Sequence, residues 1–302
     1  MNPNKKVILS FGSFFLVFLT IACSCGSFIP SGSGTPSSSS TSSSTQAANG
    51  SAAPSPTPVS IQSGSPFIEQ ISDQTNVPAG ASGTTIAACT ADSMMISGGF
   101  ASGEGIKITK TMPDPAGWLV TGLNDSADAL PLTAYAYCLH NATGSMRVVS
   151  VDIPVSGAPF ARCQNGEIIT GGGYAFDTDS LEVYISTPIG DSTDPSNAWS
   201  VTARSQQSAD EPISVYALCL SASNLTSTLA RDEKVNYGPD TNSLNFTIAC
   251  PVGAMMTVGG YEGTGAYVSR INSKDAGLWE VQVQGKNYFD GSLDHAVCLN
   301  LP

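Results

Sequence analysis

Side chains suited to catalysis are sparse in this sequence. It contains two histidines, His140 and His295, and the folded region lacks the local motifs of serine or cysteine nucleophiles, zinc hydrolases and phosphate-binding loops. His295 aligns with Tyr135 and Tyr216 in a repeated segment, which favours a surface or half-buried filler over a general base. Asp and Glu are common, so a hydrolase that uses two carboxylates is an alternative. The sequence therefore favours a protein that is not an enzyme.

Acidic residues recur at three equivalent places, each ahead of a segment that ends in cysteine. Oxygen ligands suit Ca²⁺, so these carboxylates are candidates for holding Ca²⁺ or a cationic partner. Their spacing matches no EF-hand loop, and Asp is also frequent in solvated turns. We therefore expect no metal site and no cofactor, with Ca²⁺ as the alternative. The candidate residues are Asp125, Asp128, Asp210, Glu211 and Asp290.

Aromatic residues close to these acids suggest a second chemistry, the recognition of sugars. Tyr135, Tyr137 and Tyr216 are predicted on the outward side of a strand, and Tyr288 and Phe289 precede the equivalent strand of a third segment. Ring faces stack on sugars, and neighbouring carboxylates accept hydrogen bonds from hydroxyl groups. The same tyrosines can instead fill space between neighbouring strands.

The segments that carry these residues are three copies of one unit, at about residues 84–142, 145–222 and 225–302. Each begins with a Cys, followed by two large apolar residues, a Gly-Gly pair and an aromatic residue at constant offsets. Each continues with a Trp and then, 19 or 20 residues later, a closing Cys followed by Leu. Agreement at so many positions identifies a tandem repeat.

Each copy contributes two cysteines at corresponding positions, and this selects one pairing out of fifteen. The predicted disulfides are Cys89–Cys138, Cys163–Cys219 and Cys250–Cys298. Zinc is a poor alternative, because none of the six forms a CxxC pair and each repeat offers only two thiols. Disulfides persist in oxidising compartments, so the sequence predicts an extracytoplasmic location.

The repeats have the pattern of β structure. Apolar and polar residues alternate along 181–185, 199–203 and 213–219, and turn residues separate these runs. We predict an all-β fold of three tandem, disulfide-closed antiparallel repeats, with the Trp residues in the core. Three small antiparallel units suggest a pseudo-threefold arrangement in which each sheet forms one wall. A β-sandwich, or two packed barrels, is the alternative.

One stretch of the third repeat supports the three-walled arrangement. The pattern Cys-Pro-x-Gly … Gly-Gly-Tyr at residues 250–261 resembles the repeats of vitelline membrane outer layer protein. That resemblance implies a β-prism with three walls. The sequence differs from the family before the closing Cys of the first repeat, where residues 132–138 replace an acidic, asparagine-rich stretch.

Residues 1–25 have the form of an export leader. Two lysines precede an uncharged run at residues 7–22, which is short for a membrane span of about 20 residues. The run ends at Leu19-Thr-Ile-Ala-Cys23, which resembles the bacterial lipoprotein signal and implies lipid attachment at Cys23 and a membrane anchor. That family has Leu, Val or Ile where this chain has Thr20, so an ordinary signal or an uncleaved anchor is the alternative.

Residues 26–66 are uncharged and rich in Ser, Pro and Gly, which predicts a disordered tether. As a flexible coil it spans on the order of 35 Å, which holds the β-repeat domain at 67–302 clear of a membrane.

The net charge and the predicted surface location of the domain limit the classes of function that are possible. The net charge of −12 repels phosphate backbones, so we expect no nucleic-acid partner. We predict a non-catalytic, surface-displayed binding domain that recognises a glycan or another envelope component. A structural coat or spacer is the second hypothesis, and the carboxylate-pair hydrolase is the third. The sequence makes no prediction of the oligomeric state.

Overall fold

The computed structural model of the protein describes residues 64–157, 159–189, 197–207, 211–232, 243–262, 267–275, 278–284 and 294–300. The described chain consists of 18 β-strands and one short 3₁₀ helix. It includes no helix of the length and hydrophobicity that crossing a membrane requires. Outside the described residues lie the leader with Cys23 and the tether up to residue 63, and also Asp210, Tyr288, Phe289 and Asp290.

Each repeat supplies six strands in the same order. The first repeat begins at Phe67, before the predicted start at about residue 84, and forms β1 (Phe67–Val77), β2 (Ser82–Ala87), β3 (Met94–Ser102), β4 (Ile106–Asp114), β5 (Gly117–Asn124) and β6 (Leu130–His140). The second forms β7 (Ser145–Pro154), β8 (Phe160–Arg162), β9 (Ile168–Ala175), β10 (Leu181–Ile189), β11 (Ala198–Ser205) and β12 (Pro212–Ser221). The third forms β13 (Thr226–Asp232), β14 (Ser243–Ala249), β15 (Ala254–Glu262), β16 (Tyr267–Asp275), β17 (Leu278–Gln284) and β18 (Asp294–Asn300).

The strands assemble into three six-stranded antiparallel sheets. Wall A has the order β1-β6-β3-β16-β17-β14, wall B has β2-β5-β4-β9-β12-β7, and wall C has β13-β18-β15-β10-β11-β8. Each wall therefore takes the first, sixth and third strands of one repeat and the fourth, fifth and second strands of another. The prediction of an all-β fold from three antiparallel repeats is confirmed, and the three sheets follow a pseudo-threefold order rather than that of a two-sheet sandwich.

Every wall has a joint at which two repeats meet. The joints pair β3 with β16, β15 with β10, and β9 with β4, each through two directly paired residues. On wall B the pairs are Lys110 with Ala175 and Thr111 with Tyr174. Because each repeat gives strands to two walls, no repeat completes a wall alone, and residues far apart in sequence meet at the joints.

The Gly-Gly and Trp signatures of the repeat form one packing unit between walls. Trp118 and Trp199 are almost fully buried, which confirms the prediction that they lie in the core. A Cβ on the first glycine of each pair would lie 2.0 Å from the Trp118 indole (at Gly98) or 2.1 Å from that of Trp199 (at Gly172). Glycine is therefore required where the indole rests on the backbone.

The second glycine of the pair lies against the backbone of the neighbouring repeat. A Cβ on Gly173 would lie 1.9 Å from the Thr111 carbonyl oxygen, and one on Gly260 would lie 2.4 Å from the Thr187 Cα. Both contacts cross a joint, between β9 and β4 on wall B and between β15 and β10 on wall C. The second glycine thus lets backbones of two repeats approach each other closely.

All three predicted disulfides are present. The Cα–Cα distances are 5.7 Å for Cys89–Cys138, 5.5 Å for Cys163–Cys219 and 5.7 Å for Cys250–Cys298. Each bridge joins the segment before the third strand of a repeat to its sixth strand. Three such bridges indicate an oxidising, extracytoplasmic environment.

Candidate functional site

A groove of about 500 Å³ lies on the outer face of wall B, where β4 of the first repeat meets β9 and β12 of the second. Its lining residues alternate with buried ones along the strands, as Lys110 and Met112 do around buried Thr111. Such alternation places them on the solvent side of the sheet. The residues that give the groove its chemistry are Lys110, Met112, Asp177, Glu211, Ser214 and Tyr216.

Small residues on β9 create the depression. Gly172 faces the core under Trp199, so Gly173 and Ala175 lie on the opposite, outer face of the strand. Gly173 pairs directly with Tyr216 of β12. Gly173 therefore places no side chain beside the tyrosine, and the space at its Cβ position is occupied by the Thr111 carbonyl of β4.

Tyr216 is the aromatic residue of the groove. Its side chain is half-buried, and desolvation raises the pKa of its hydroxyl, an effect that a hydrogen bond with Ser214 partly opposes. Ser214 Oγ in turn donates to Asp152 Oδ1 at 2.5 Å on the adjacent edge strand. The hydroxyl group of Tyr216 is therefore protonated at physiological pH, and the hydrogen bond between Ser214 and Asp152 holds these two side chains in place beside it.

Lys110 and Asp177 bridge the joint on the same face. Lys110 Nζ lies 2.6 Å from Asp177 Oδ1, with the lysine side chain 33% exposed and the aspartate 89% exposed. A pair this open to water contributes little to stability, since solvent screens the attraction. Both groups are available to a ligand.

Glu211 lines the groove with an ordered carboxylate. Its Oε1 accepts hydrogen bonds from Ser180 Oγ at 2.5 Å and from Thr178 Oγ1 at 3.5 Å. These contacts, led by Ser180 and followed by the Ser205 hydroxyl, lower the pKa of the carboxyl group, so it is ionised at neutral pH.

The structure brings two of the predicted site residues together and separates the others. Tyr216 and Glu211 share the groove. Tyr135, at the equivalent position on wall A, is partly buried and packs against the core. The prediction that Tyr137 faces outward is wrong, because this residue is 1% exposed. Both faces of the closing strand are buried near its cysteine, and the equivalent Leu218 is buried too.

The acidic turn of the first repeat is organised by a buried amide. Asn124 Nδ2 donates to the Val77 and Asp128 carbonyl oxygens, and Asn124 Oδ1 accepts from the backbone and hydroxyl of Ser126. The side chains of Asp125 and Asp128 are exposed. Among the residues that the structure describes, these two and Glu211 do not converge into a metal-ligand group.

A different group in the described chain has the proximity that metal ligands need. It consists of Cys163, Glu167 and Cys219, whose ligand atoms lie within 4.8 Å of one another. The two sulfurs are joined in a disulfide, so neither is the thiolate that a metal requires. The arrangement is thus a structural bridge with a carboxylate beside it.

Neither histidine reaches the groove. His140 is buried, with its Nε2 3.0 Å from Glu69 Oε2 and its ring stacked on Phe67. His295 is buried on wall C, with its Nδ1 2.9 Å from Thr187 Oγ1. Both rings are packed inside the β-repeat domain, more deeply than the surface or half-buried position predicted for His295.

Lys110, Met112 and Asp177 are site residues that sequence reasoning missed. Lys110 and Asp177 belong to different repeats, and only the exchange of strands between walls brings them together. The position of Lys110 is occupied by Arg270 at the wall A joint and by Ile185 at the wall C joint, so a basic residue recurs there in two of the three repeats.

The ion pair beside the second disulfide should make stability depend on acid pH. Arg147 donates to Glu167 through Nε at 2.9 Å and through Nη2 at 2.5 Å, and this pairing lowers the pKa of the glutamate below its ordinary 4.5. The resulting stabilisation is present above pH 4.5 and is lost as pH falls through the lowered value. We expect Glu167→Gln to reduce stability by about 1 kcal/mol at pH 7 and by less at pH 2. Thermal melting of both proteins at the two pH values measures this, and an equal loss at both would contradict it.

No protein-family model matches the sequence, and no curated protein shows significant similarity to it.

Proposed function

We propose that this protein is a non-catalytic binding module that recognises a glycan through the groove on wall B. The observation that carries the proposal is the half-buried ring of Tyr216, which lines the groove together with the hydrogen-bonded side chains of Ser214 and Glu211. Sugar binding needs an aromatic face for the pyranose ring and fixed acceptors or donors for its hydroxyl groups. Tyr216 supplies the first, and Lys110, Asp177 and Glu211 supply the second.

The carboxylates of the groove support binding rather than hydrolysis. A glycosidase needs one carboxyl group whose pKa is raised so that it can protonate the leaving oxygen. Hydrogen bonds from Ser180 lower the pKa of Glu211 instead, and Asp177 is paired with Lys110 and open to water. Glu211 is therefore an acceptor that stays ionised.

The proposed module works outside the cytoplasm. The three disulfides require an oxidising compartment, and we propose that lipid on Cys23 and the tether at 26–66 display the domain on a membrane. A rigid cross-linked domain on a long flexible tether suits the capture of a ligand at a surface. In this proposal the partner is an envelope or extracellular glycan.

Removing the ring of Tyr216 should abolish most of the affinity. On a glycan array probed with the full-length protein in detergent, we expect a defined set of saccharides to bind. Tyr216→Ala should weaken the best of them by about 10- to 30-fold, the value of roughly 1.4–2 kcal/mol of stacking. Isothermal titration calorimetry gives the dissociation constants.

Two matched variants serve as controls. Tyr216→Phe keeps the ring and should retain most of the affinity, while Tyr135→Ala removes the equivalent tyrosine of wall A and should leave binding unchanged. An array without any bound saccharide, or unchanged affinity in Tyr216→Ala, would overturn the proposal.

A further inference from the structure

We propose that the ligand of the groove is an extended, uncharged glycan chain that crosses the strands of wall B, with several linked sugar rings bound at once. This inference rests on the proposed function and names the ligand class of the same site. It is carried by two parallel rows of side chains on the outer face of wall B, one apolar and one polar, and by the different residues that the other walls have in the apolar row.

The apolar row crosses the first three strands of wall B and continues to Tyr216. Ile86 of β2 pairs with Leu119 of β5, which pairs in turn with Met112 of β4. These three side chains are partly exposed and alternate with buried neighbours, so they lie on the outer face of the sheet. Gly173 of β9 comes next, since a Cβ there would lie 3.5 Å from the Met112 Cα, and Gly173 pairs with Tyr216 of β12. The row therefore crosses the joint between two repeats.

A polar row lies beside the apolar one, two residues along each strand. Direct strand pairing joins its members, which are Thr84, Thr121, Lys110, Ala175, Ser214 and Asp152. Hydrogen bonds fix the hydroxyl groups at both ends of this row. The Oγ1 atoms of Thr84 and Thr121 lie 2.9 Å apart, and Ser214 donates to Asp152 at 2.5 Å. Hydroxyl groups held along a line both donate to and accept from a ligand that lies beside them.

The other two walls show that the fold does not require apolar residues at the positions of Met112, Leu119 and Ile86. Five of the six residues at the equivalent register positions are polar. They are Thr187, Ser200 and Phe160 on wall C, and Asn272, Glu280 and Thr247 on wall A. Strand pairing therefore does not account for the apolar row of wall B, whereas contact with a ligand does.

The dimensions of the row fit several sugar rings. Four strands line the groove, from Leu119 on β5 to Tyr216 on β12. Neighbouring strands are about 4.8 Å apart, so the groove spans roughly 14 Å, and the row as far as Ile86 spans roughly 19 Å. One pyranose ring would leave most of this length uncovered, and about three or four linked rings fill it.

A chain of β-1,4-linked pyranoses has the surface that two such rows match. Its axial C–H groups form apolar faces, and its equatorial hydroxyl groups project from its edges. The faces rest on aliphatic and aromatic side chains, while the edges meet the fixed hydroxyl groups of the polar row. The net charge of −12 repels anionic glycans. The ligand class is therefore a neutral, extended chain rather than a terminal or charged sugar.

Two series of oligosaccharides of increasing length test the inference. Cello-oligosaccharides and N-acetylchito-oligosaccharides are neutral β-1,4-linked chains, and calorimetry with the full-length protein in detergent gives their dissociation constants. In the series that binds better, we expect the tetrasaccharide to bind at least about tenfold more tightly than the disaccharide. The hexasaccharide should gain less than about threefold more, because the row ends at β2, the edge strand of wall B.

Residues that the other walls use provide matched variants. Leu119→Ser introduces the residue of wall C and should weaken tetrasaccharide binding about fivefold or more. It should change disaccharide binding less than about twofold, because a disaccharide contacts mainly Tyr216. Thr121→Val keeps the branched shape, removes a hydroxyl group of the polar row and should weaken tetrasaccharide binding about threefold. Phe160→Ser is the control, since it removes an exposed ring at the wall C equivalent of Ile86 and should leave both affinities unchanged.

The outcomes separate this inference from the proposed function. Equal affinities along both series, or no binding of either, would overturn the inference and leave the proposed function standing if the glycan array shows other bound saccharides. An empty array together with no binding of either series would overturn both. A dimer of the protein that Leu119→Ser converts to a monomer, measured by light scattering, would assign the apolar row to a second copy of the chain and overturn the inference.

Discussion

Gly172→Ala should destabilise the domain by at least about 3 kcal/mol, the upper part of the range for overpacked cores. The added Cβ would lie 2.1 Å from Cγ and 2.2 Å from Cδ2 of the Trp199 indole. The indole has no room to retreat, since it is 2% exposed and its Nε1 donates to Ser186 Oγ at 3.1 Å. Relief therefore requires either the loss of that hydrogen bond or the separation of two walls.

Thermal melting measures this effect directly. For a domain of this size 3 kcal/mol corresponds to a fall in Tm of about 6–12 °C. Gly157→Ala is the matched control, because its nearest neighbour is the terminal methyl of Ile153 at 3.3 Å and the residue is exposed. We expect that control to stay within about 0.5 kcal/mol of the parent. A Gly172→Ala protein with the parent's Tm would contradict the glycine–indole packing.

A double-mutant cycle ties the effect to the indole. Trp199→Phe alone should destabilise by cavity formation, but in the presence of Gly172→Ala the smaller ring gives the new methyl group space. The double variant should therefore be more stable than the sum of the single losses predicts, by about 1 kcal/mol or more. Additive losses would mean that Gly172 is needed for a reason other than Trp199.

Internal repetition is what made the fold predictable from the sequence. The recurrence of Cys, Gly-Gly, Trp and Cys at constant spacing selected the disulfide pairing and placed Trp118 and Trp199 in the core. The spacing could not show why the glycines recur, because Gly172 contacts an indole 27 residues later and Gly173 contacts another repeat. Those reasons exist only once the walls are assembled.

Only part of the groove could be predicted from the sequence, because the groove also forms only when strands of two repeats meet in one wall. Tyr216 and Glu211 stand close together in sequence and were recognised by residue type, but Lys110 enters from the first repeat across a joint. Tyr137 shows the converse error. Strand alternation places it on the outer face, yet both faces of the closing strand are covered near Cys138. The equivalent Leu218 and Val297 are apolar, which is the sequence signal for a buried position.

Removing the second disulfide should cost about 4 kcal/mol, the largest loss that we expect from a change that leaves the native packing intact. Cys163 and Cys219 are separated by 56 residues, and in the chain-entropy model a bridge of this span restricts the unfolded chain by that amount. Alanine is the replacement of choice, because both sulfurs are buried and a serine hydroxyl would add an unsatisfied polar group. Melting of Cys163→Ala/Cys219→Ala should show Tm lowered by about 8–16 °C.

The first disulfide provides a control that distinguishes an effect on the unfolded chain from an effect on native packing. Cys89 and Cys138 are 49 residues apart, so the entropy model predicts a cost within about 0.2 kcal/mol of that for the second bridge. The two bridges differ in the folded state, since Cys163 is buried with Arg147 and Glu167 nearby while Cys89 is only partly buried. Equal losses would therefore place the effect in the unfolded chain, and a larger loss for the second bridge would place part of it in native packing. Peptide mapping under non-reducing conditions must find each bridge within one repeat, because a link between repeats would contradict the folding unit on which both values depend.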